Sequence, residues 1–103
     1  ELSPVPASHR PRTDTPLYIL VSGRTGSAAE AFAYTLQAAR RAIVVGERTG
    51  GVANPGTIHR TADGFRIFIS GGTPVNPITH ANWEGVGVAP DFAVPQADAL
   101  RLA

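Results

Sequence analysis

The sequence predicts an α/β fold in which a strand-helix-strand unit is followed by a β-hairpin. Two short apolar runs without polar alternation, LYILVS at residues 17–22 and AIVVG at residues 42–46, are typical of parallel strands that are covered on both faces. A stretch with helical spacing, residues 27–41, separates them. Two such strands joined by a helix form a right-handed βαβ unit, and we expect the first run to be a central strand of the sheet.

The stretch between the two strands predicts a helix of about four turns. Its apolar residues recur three and four positions apart, which places them on one face of a helix. These residues are Ala29, Phe32, Ala33 and Leu36.

The second half of the chain predicts loops, one hairpin and short elements. A glycine-rich loop is expected at residues 47–57. The strands TIHRT and FRIFIS then form a hairpin whose turn is Asp63-Gly64. A short strand is expected near residues 92–94.

Three segments follow one another along the chain. Residues 1–16 hold four of the nine prolines and predict an extended lead-in, because proline lacks the N–H that a strand ladder needs. Residues 17–95 carry the α/β fold. Residues 96–103 are expected to form the start of a C-terminal helix or a tail.

The composition excludes several classes of protein. A net charge of +1, with nine scattered arginines, provides no basic surface for nucleic acid. No apolar run approaches the roughly 18 residues that a membrane span requires. The chain has no cysteine, which leaves the cellular compartment open, and His9, His59 and His80 are too dispersed for a metal cluster. No cofactor is expected.

Ser27 is the leading candidate for chemistry. It follows a buried strand and the turn GRTG, where the first unpaired N–H groups of a helix can stabilise an oxyanion, and the N–H of Ala28 is one such donor. Two other interpretations stay open from the pattern alone. Ser27 and Glu30 have the spacing of a capping box. A glycine-rich turn before a helix can also bind phosphate, although the Walker and GxGxxG spacings are missing.

Glu84 is the second candidate. It lies in NWEGVGVAPD, between a tryptophan and glycine turns, where partial burial would raise its pKa unless a histidine or hydroxyl partner stabilised the charge. An ordinary turn residue is the alternative. His59, in a strand beside the glycine-rich loop, is a further candidate for the wall of the same cleft.

The segments RTGSAAEAFAYTLQAARRAIVVGERTGG and NWEGVGVAPD, in this order, resemble the tail-specific (C-terminal processing) serine peptidase family over about residues 16–94. This family includes C-terminal processing proteases, the tricorn core protease and the modules of interphotoreceptor retinoid-binding protein. The resemblance implies stacked βαβ units similar to ClpP and the crotonases, with residues 17–95 as the C-terminal part of a catalytic domain. It also implies proteolysis of a peptide or protein substrate without a cofactor.

The resemblance further implies roles for single residues. The family's nucleophile is the serine three positions before the helix glutamate, which corresponds to Ser27 before Glu30, and Ala28 supplies an oxyanion amide. The processing-protease branch pairs the serine with a lysine about two dozen residues later, in a T-x-G-K-G stretch. Val52 stands at that position here, and the chain contains no lysine. The tricorn-core and retinoid-binding-protein-like branch uses a His, a second Ser and a Glu, and Glu84 matches that Glu.

Parts of such a site are expected outside these residues. In the family the general-base His and a second oxyanion amide come from upstream sequence, so the N-terminal remainder of the catalytic domain is an expected partner, and residues 1–103 alone are expected to be inactive. Bacterial relatives are often exported, which favours a periplasmic or secreted location over a cytoplasmic one. The alternative function is an inactive module that binds an apolar ligand or a peptide.

Overall fold

The structure, a computed structural model, describes residues 14–103. The elements in this part of the chain are β1 (Tyr18–Val21), α1 (Ala28–Ala38), β2 (Ile43–Gly46), β3 (Gly56–Arg60), β4 (Arg66–Ser70), β5 (Phe92–Ala93) and α2 (Gln96–Leu102). The expected lead-in, with His9, lies outside the described residues except for 14–16. None of the helices in residues 14–103 has the length and apolar character needed to cross a membrane.

A three-stranded parallel sheet in the order β1-β2-β5 forms the centre of the fold. β1 and β2 are the strands of the predicted βαβ unit. The prediction that the first strand is central is wrong for the described sheet, because β2 is central and β1 lies at an edge. On β1, Tyr18 and Leu20 are 44% and 43% exposed. An apolar run indicates that a strand has apolar faces, but it does not indicate which strands pair along its edges.

Asp91 joins the end of the chain to the middle of the sheet. Its carboxylate accepts the Val44 N–H at 2.7 Å, and its own N–H donates to the Val44 carbonyl at 2.8 Å. The short strand expected near residues 92–94 follows as β5, and the helix expected in residues 96–103 follows as α2. These two bonds therefore place the last part of NWEGVGVAPD against β2.

The helix α1 is shorter than predicted. It contains 11 residues, about three turns rather than four. Arg40 has a left-handed φ of 53°, and the N–H groups of Arg40 and Arg41 donate to the carbonyls of Gln37 and Leu36. Backbone bonds of this kind close the C-terminus of a helix. The sequence carries no glycine here that would mark this end.

The buried face of α1 also differs from the predicted one. Ala33 is completely buried in a small core with Val21 and Val44. Phe32, which the spacing assigned to the apolar face, is 57% exposed, and Glu30 is the residue that is buried together with Ala33. Helical spacing detects apolar neighbours, but it does not detect a carboxylate that the fold buries with hydrogen bonds.

The predicted hairpin is confirmed. β3 and β4 pair antiparallel, from Gly56 opposite Ser70 to Arg60 opposite Arg66, and form a separate two-stranded sheet. Gly64 has a φ of 86° in the connecting turn, a conformation that suits glycine. Every residue of the two strands is exposed.

Candidate active site

Ser27 lies directly before the first residue of α1, in a strained backbone conformation. Its φ is 53° and its ψ is −123°. A residue with a Cβ in such a sparsely populated region of backbone conformation costs about 1–3 kcal/mol, and these positions cluster at active sites and ligand clamps. A strand, a sharp turn, a strained serine and a helix in succession are the arrangement that nucleophile elbows share.

Hydrogen bonds hold the turn that precedes Ser27. The Thr25 N–H donates to the Ser22 carbonyl at 2.9 Å, and the Ser22 N–H donates to the Thr25 hydroxyl at 3.0 Å. From the other side, the Gly50 N–H donates to the Thr25 carbonyl at 2.9 Å. The turn is therefore tied to its own strand and to the loop that follows β2.

Ala28 is exposed at the start of α1, and its N–H is one of the first of the helix. The first N–H groups of a helix have no partner within the helix. The neighbouring N–H groups of Ser27 and Ala29 donate to Glu30 and Gly26, whereas no acceptor for the Ala28 N–H occurs within residues 14–103. This donor is therefore available to an oxygen atom of a ligand.

Glu30 is the buried centre of the site, with 0% exposure. Its carboxylate accepts four hydrogen bonds: at Oε1 from the Thr49 hydroxyl (2.5 Å) and the Gly51 N–H (2.7 Å), and at Oε2 from the Ser27 N–H (2.8 Å) and the Val52 N–H (2.9 Å). Burial by itself raises the pKa of the Glu30 carboxyl, but these hydrogen bonds outweigh it and hold the pKa below its ordinary value of 4.5. Glu30 is therefore charged at neutral pH.

Thr49 connects Glu30 to the EGVGV segment. While its hydroxyl donates to Glu30, the same oxygen accepts the Val88 N–H at 2.7 Å, and the Thr49 N–H donates to the Val88 carbonyl at 3.2 Å. Nearby, the Gly85 N–H donates to the Gly51 carbonyl at 2.9 Å. The two segments whose order suggested the family resemblance therefore contact each other directly.

Glu84 holds the end of the loop after β2. Its Oε2 accepts the N–H groups of Ala53 at 2.6 Å and Asn54 at 2.8 Å, and its own N–H donates to the Asn82 side-chain oxygen at 3.0 Å. The expectation of partial burial is wrong, because Glu84 is exposed. The adjacent Trp83 takes the buried position instead, with 5% exposure.

A cavity of about 270 Å³ lies beside Ser27. Its other lining residues are Ala28, Ala31, Ala53, Pro55, Pro74 and Trp83. The lining is apolar apart from Ser27 and the backbone. Sequence reasoning identified Ser27 and Ala28 but missed the loop residues Ala53, Pro55 and Pro74, because they reach the helix through tertiary contacts that leave no local pattern.

The histidines of the described chain lie away from this cavity. His59 is exposed on β3, opposite Ile67, and His80 is exposed in the loop after β4. Neither of them lines the cavity beside Ser27, so His59 does not form the wall that its sequence position suggested. Within residues 14–103, no group of three or more His, Asp or Glu side chains is arranged to hold a metal ion.

Fold and site together define an α/β domain that presents a serine on a strand-to-helix turn beside an apolar cavity. The chain belongs to peptidase family S41, because the model of that family matches residues 3–94. The predicted family is thereby confirmed.

Three similar proteins, two relatives and one solved structure, are longer than the chain. Carboxyl-terminal-processing peptidase 1 of Arabidopsis thaliana chloroplasts is 34% identical over 88 residues, which are 85% of this chain and 18% of that protein. The carboxyl-terminal-processing protease of a Picosynechococcus species is 36% identical over 87 residues, 84% of this chain and 21% of that protein. The solved structure of the photosystem II D1 C-terminal processing protease matches with a TM-score of 0.67 and 30% identity, over 81% of this chain and 21% of that chain. The chain therefore spans about a fifth of the length of these relatives. Its mixed sheet-and-helix fold matches that of the C-terminal processing protease structure.

Proposed function

We propose that this domain carries the nucleophile of a serine endopeptidase that cleaves a peptide or protein substrate. The observation that carries the proposal is the strained backbone of Ser27, with φ 53°, at a strand-to-helix turn. The Ala28 N–H, which has no acceptor within residues 14–103, and the apolar cavity supply two further features of a site for acyl transfer, an oxyanion donor and room for a substrate side chain. Membership in family S41 and the similarity to carboxyl-terminal-processing proteases support the same reaction.

In the proposed mechanism, Ser27 Oγ attacks the scissile carbonyl while a histidine takes its proton. That histidine comes from the N-terminal remainder of the catalytic domain, so residues 1–103 alone are inactive. The Ala28 N–H donates to the oxyanion of the tetrahedral intermediate. The histidine then protonates the leaving amine, and water releases the acyl group from the serine.

Glu84 orients the histidine through a second hydroxyl in this proposal. Both loop N–H groups that Glu84 binds donate to Oε2. Its Oε1 accepts no hydrogen bond from the described residues, and in this proposal it is the oxygen that accepts from the second hydroxyl.

Val52 supports the tricorn-core and retinoid-binding-protein-like branch over the lysine branch. It occupies the position of the family's lysine, and the chain has no lysine anywhere. Only the backbone of Val52 takes part in the site, through its N–H to Glu30, while its side chain is 52% exposed. Stacked βαβ units similar to those of ClpP and the crotonases are the fold that we propose for the complete catalytic domain.

The test uses the full-length protein and a fluorophosphonate probe, which reacts with activated serines. We expect the probe to modify Ser27, as located by peptide mass spectrometry. Ser27→Ala should abolish labelling and lower the peptidase rate about a thousandfold or more. Ser22→Ala is the matched control, because Ser22 lies in the same turn and binds only backbone and Thr25 within it. A Ser27→Ala protein that kept its peptidase rate would contradict the assignment.

A non-catalytic module that binds a peptide or an apolar ligand is the second candidate. The exposed hairpin favours it, since Phe65, Ile67 and Ile69 are 69%, 48% and 53% exposed. An extended peptide could add to the hairpin edge through main-chain hydrogen bonds. Absence of labelling in a folded full-length protein, together with peptide binding that Ile67→Asp removes, would favour this candidate over the peptidase.

A further inference from the structure

The loop after β2 is held by carboxylates at four successive N–H groups. The N–H groups of Gly51 and Val52 donate to the Glu30 carboxylate, and those of Ala53 and Asn54 donate to the Glu84 carboxylate. We refer to residues 51–54 as the clamped loop. It has no regular secondary structure, so these bonds take the place that a strand ladder or helix would fill.

Glu30 connects the clamped loop to the serine. Its Oε2 accepts the Val52 N–H at 2.9 Å and the Ser27 N–H at 2.8 Å, so one oxygen atom joins the strained residue to the loop. The loop in turn forms part of the cavity wall through Ala53. Glu30 is therefore the side chain that joins this wall directly to Ser27, while Glu84 and the bond from the Gly50 N–H to the Thr25 carbonyl hold the loop at other points.

The same contact restrains the strained backbone of Ser27. A non-glycine residue keeps a positive φ only when its surroundings hold it there. The bond from the Ser27 N–H to Glu30 is such a restraint, and Glu30 is itself immobilised by the Thr49 hydroxyl and the Gly51 N–H. Burying a charged carboxylate is energetically unfavourable, so an apolar residue at this position would pack α1 onto the sheet with less loss of free energy. It could not, however, accept the hydrogen bonds from Ser27, Thr49 and Gly51.

We infer that Glu30 is a positioning residue for the nucleophile. One carboxylate fixes both the backbone of Ser27 and the clamped loop, so that a substrate resting against Ala53 and Pro55 meets the serine hydroxyl in a reactive orientation. This role goes beyond capping the helix, and it rests on the proposed peptidase function.

Glu30→Gln in the full-length protein tests the inference. Glutamine keeps the size of the side chain but replaces one acceptor oxygen by an NH₂ group, which cannot accept the N–H groups now bound there. We expect the fluorophosphonate labelling rate of Ser27, measured per folded molecule, to fall about tenfold to a hundredfold, because small displacements of reacting groups have effects of this size. Hydrogen exchange at residues 51–52 should become faster.

Two controls separate positioning from general damage. Asp91→Asn is matched in chemistry, since the Asp91 carboxylate also accepts a backbone N–H, that of Val44, but none from the clamped loop or from the turn before Ser27. Val44→Ala controls for a general loss of stability, because Val44 is completely buried in the core and does not line the cavity. Both variants should label Ser27 at the wild-type rate per folded molecule.

The outcomes are distinct. Wild-type labelling in Glu30→Gln would overturn the positioning role and leave the proposed function standing. An unlabelled wild-type protein would overturn the proposed function and the inference with it. If Glu30→Gln does not fold, Glu30→Asp replaces it, because the shorter carboxylate keeps its charge but cannot reach both the serine and the loop. Slow labelling by folded Glu30→Asp supports the inference, and wild-type labelling overturns it.

Discussion

Gly87 and Gly85 of the EGVGV segment allow a matched test of its contact with Thr49. Both glycines have a left-handed φ, 71° for Gly87 and 69° for Gly85. A Cβ at Gly87 would overlap the Thr49 carbonyl oxygen, whereas a Cβ at Gly85 would meet nothing within 4 Å. The variants Gly87→Ala and Gly85→Ala therefore share the left-handed φ, and only Gly87→Ala adds the steric overlap with Thr49.

The difference in stability can be estimated from the bonds at Thr49. The left-handed φ costs each alanine variant about 1–2 kcal/mol. Gly87→Ala must also displace Thr49, which makes two hydrogen bonds with Val88, of 2.7 Å and 3.2 Å. Losing both, at about 0.5–1.5 kcal/mol each, adds about 1–3 kcal/mol. Gly85→Ala should therefore cost about 1–2 kcal/mol, and Gly87→Ala about 2–5 kcal/mol.

Thermal unfolding of the two variants, measured by calorimetry under identical conditions, provides the assay. At about 4–8 °C per kcal/mol for a domain of this size, Gly87→Ala should melt about 4–24 °C below Gly85→Ala. Equal melting temperatures would refute the reasoning, because the close approach of Gly87 to Thr49 would then have no energetic consequence.

Three further predictions concern stability. The pKa of Glu30 lies below 4.5, so the stability that its ionised carboxylate adds to the fold is fully present above about pH 4.5 and is lost as the pH falls through the lowered pKa. The melting temperature of the wild type should therefore drop on acidification, and that of Glu30→Gln should depend less on pH. Asp91→Ala should lower the free energy of unfolding, measured by urea denaturation, by about 1–3 kcal/mol, because it removes the acceptor of the Val44 N–H. Asp91→Asn keeps an acceptor oxygen and should lower it by less. Val44→Ala should cost about 2 kcal/mol through lost burial, against less than about 0.5 kcal/mol for exposed Val86→Ala; similar values for both would contradict the assignment of the core.

Local patterns were sufficient to predict most elements of the fold. The βαβ unit follows from two apolar runs flanking a helical stretch, and the hairpin follows from Asp63-Gly64 between two alternating runs. Such features depend on interactions between residues close in sequence, namely turn conformations and the spacing of side chains on one element. The position of Ser27 at the start of α1 was likewise predictable from the neighbouring residues.

The end and the orientation of α1 were not predictable in this way. The helix ends through backbone bonds around Arg40, a residue that seldom adopts a positive φ. Its buried face contains Glu30 rather than Phe32, because hydrogen bonds from the loop after β2 compensate the buried carboxylate. Apolar periodicity cannot detect a compensation that comes from residues about twenty positions away.

The sequence by itself determined the class of fold, the family and the serine at a strand-to-helix turn, since these depend on local spacing and on the order of motifs. Only the tertiary structure decided that β1 lies at an edge of the sheet formed by residues 14–103, that the strained Ser27 shares an acceptor oxygen with Val52, and that an apolar cavity opens beside it. The physical reason is that these features come from contacts between segments distant in sequence. The energy of such contacts depends on distances and burial, which no periodicity records.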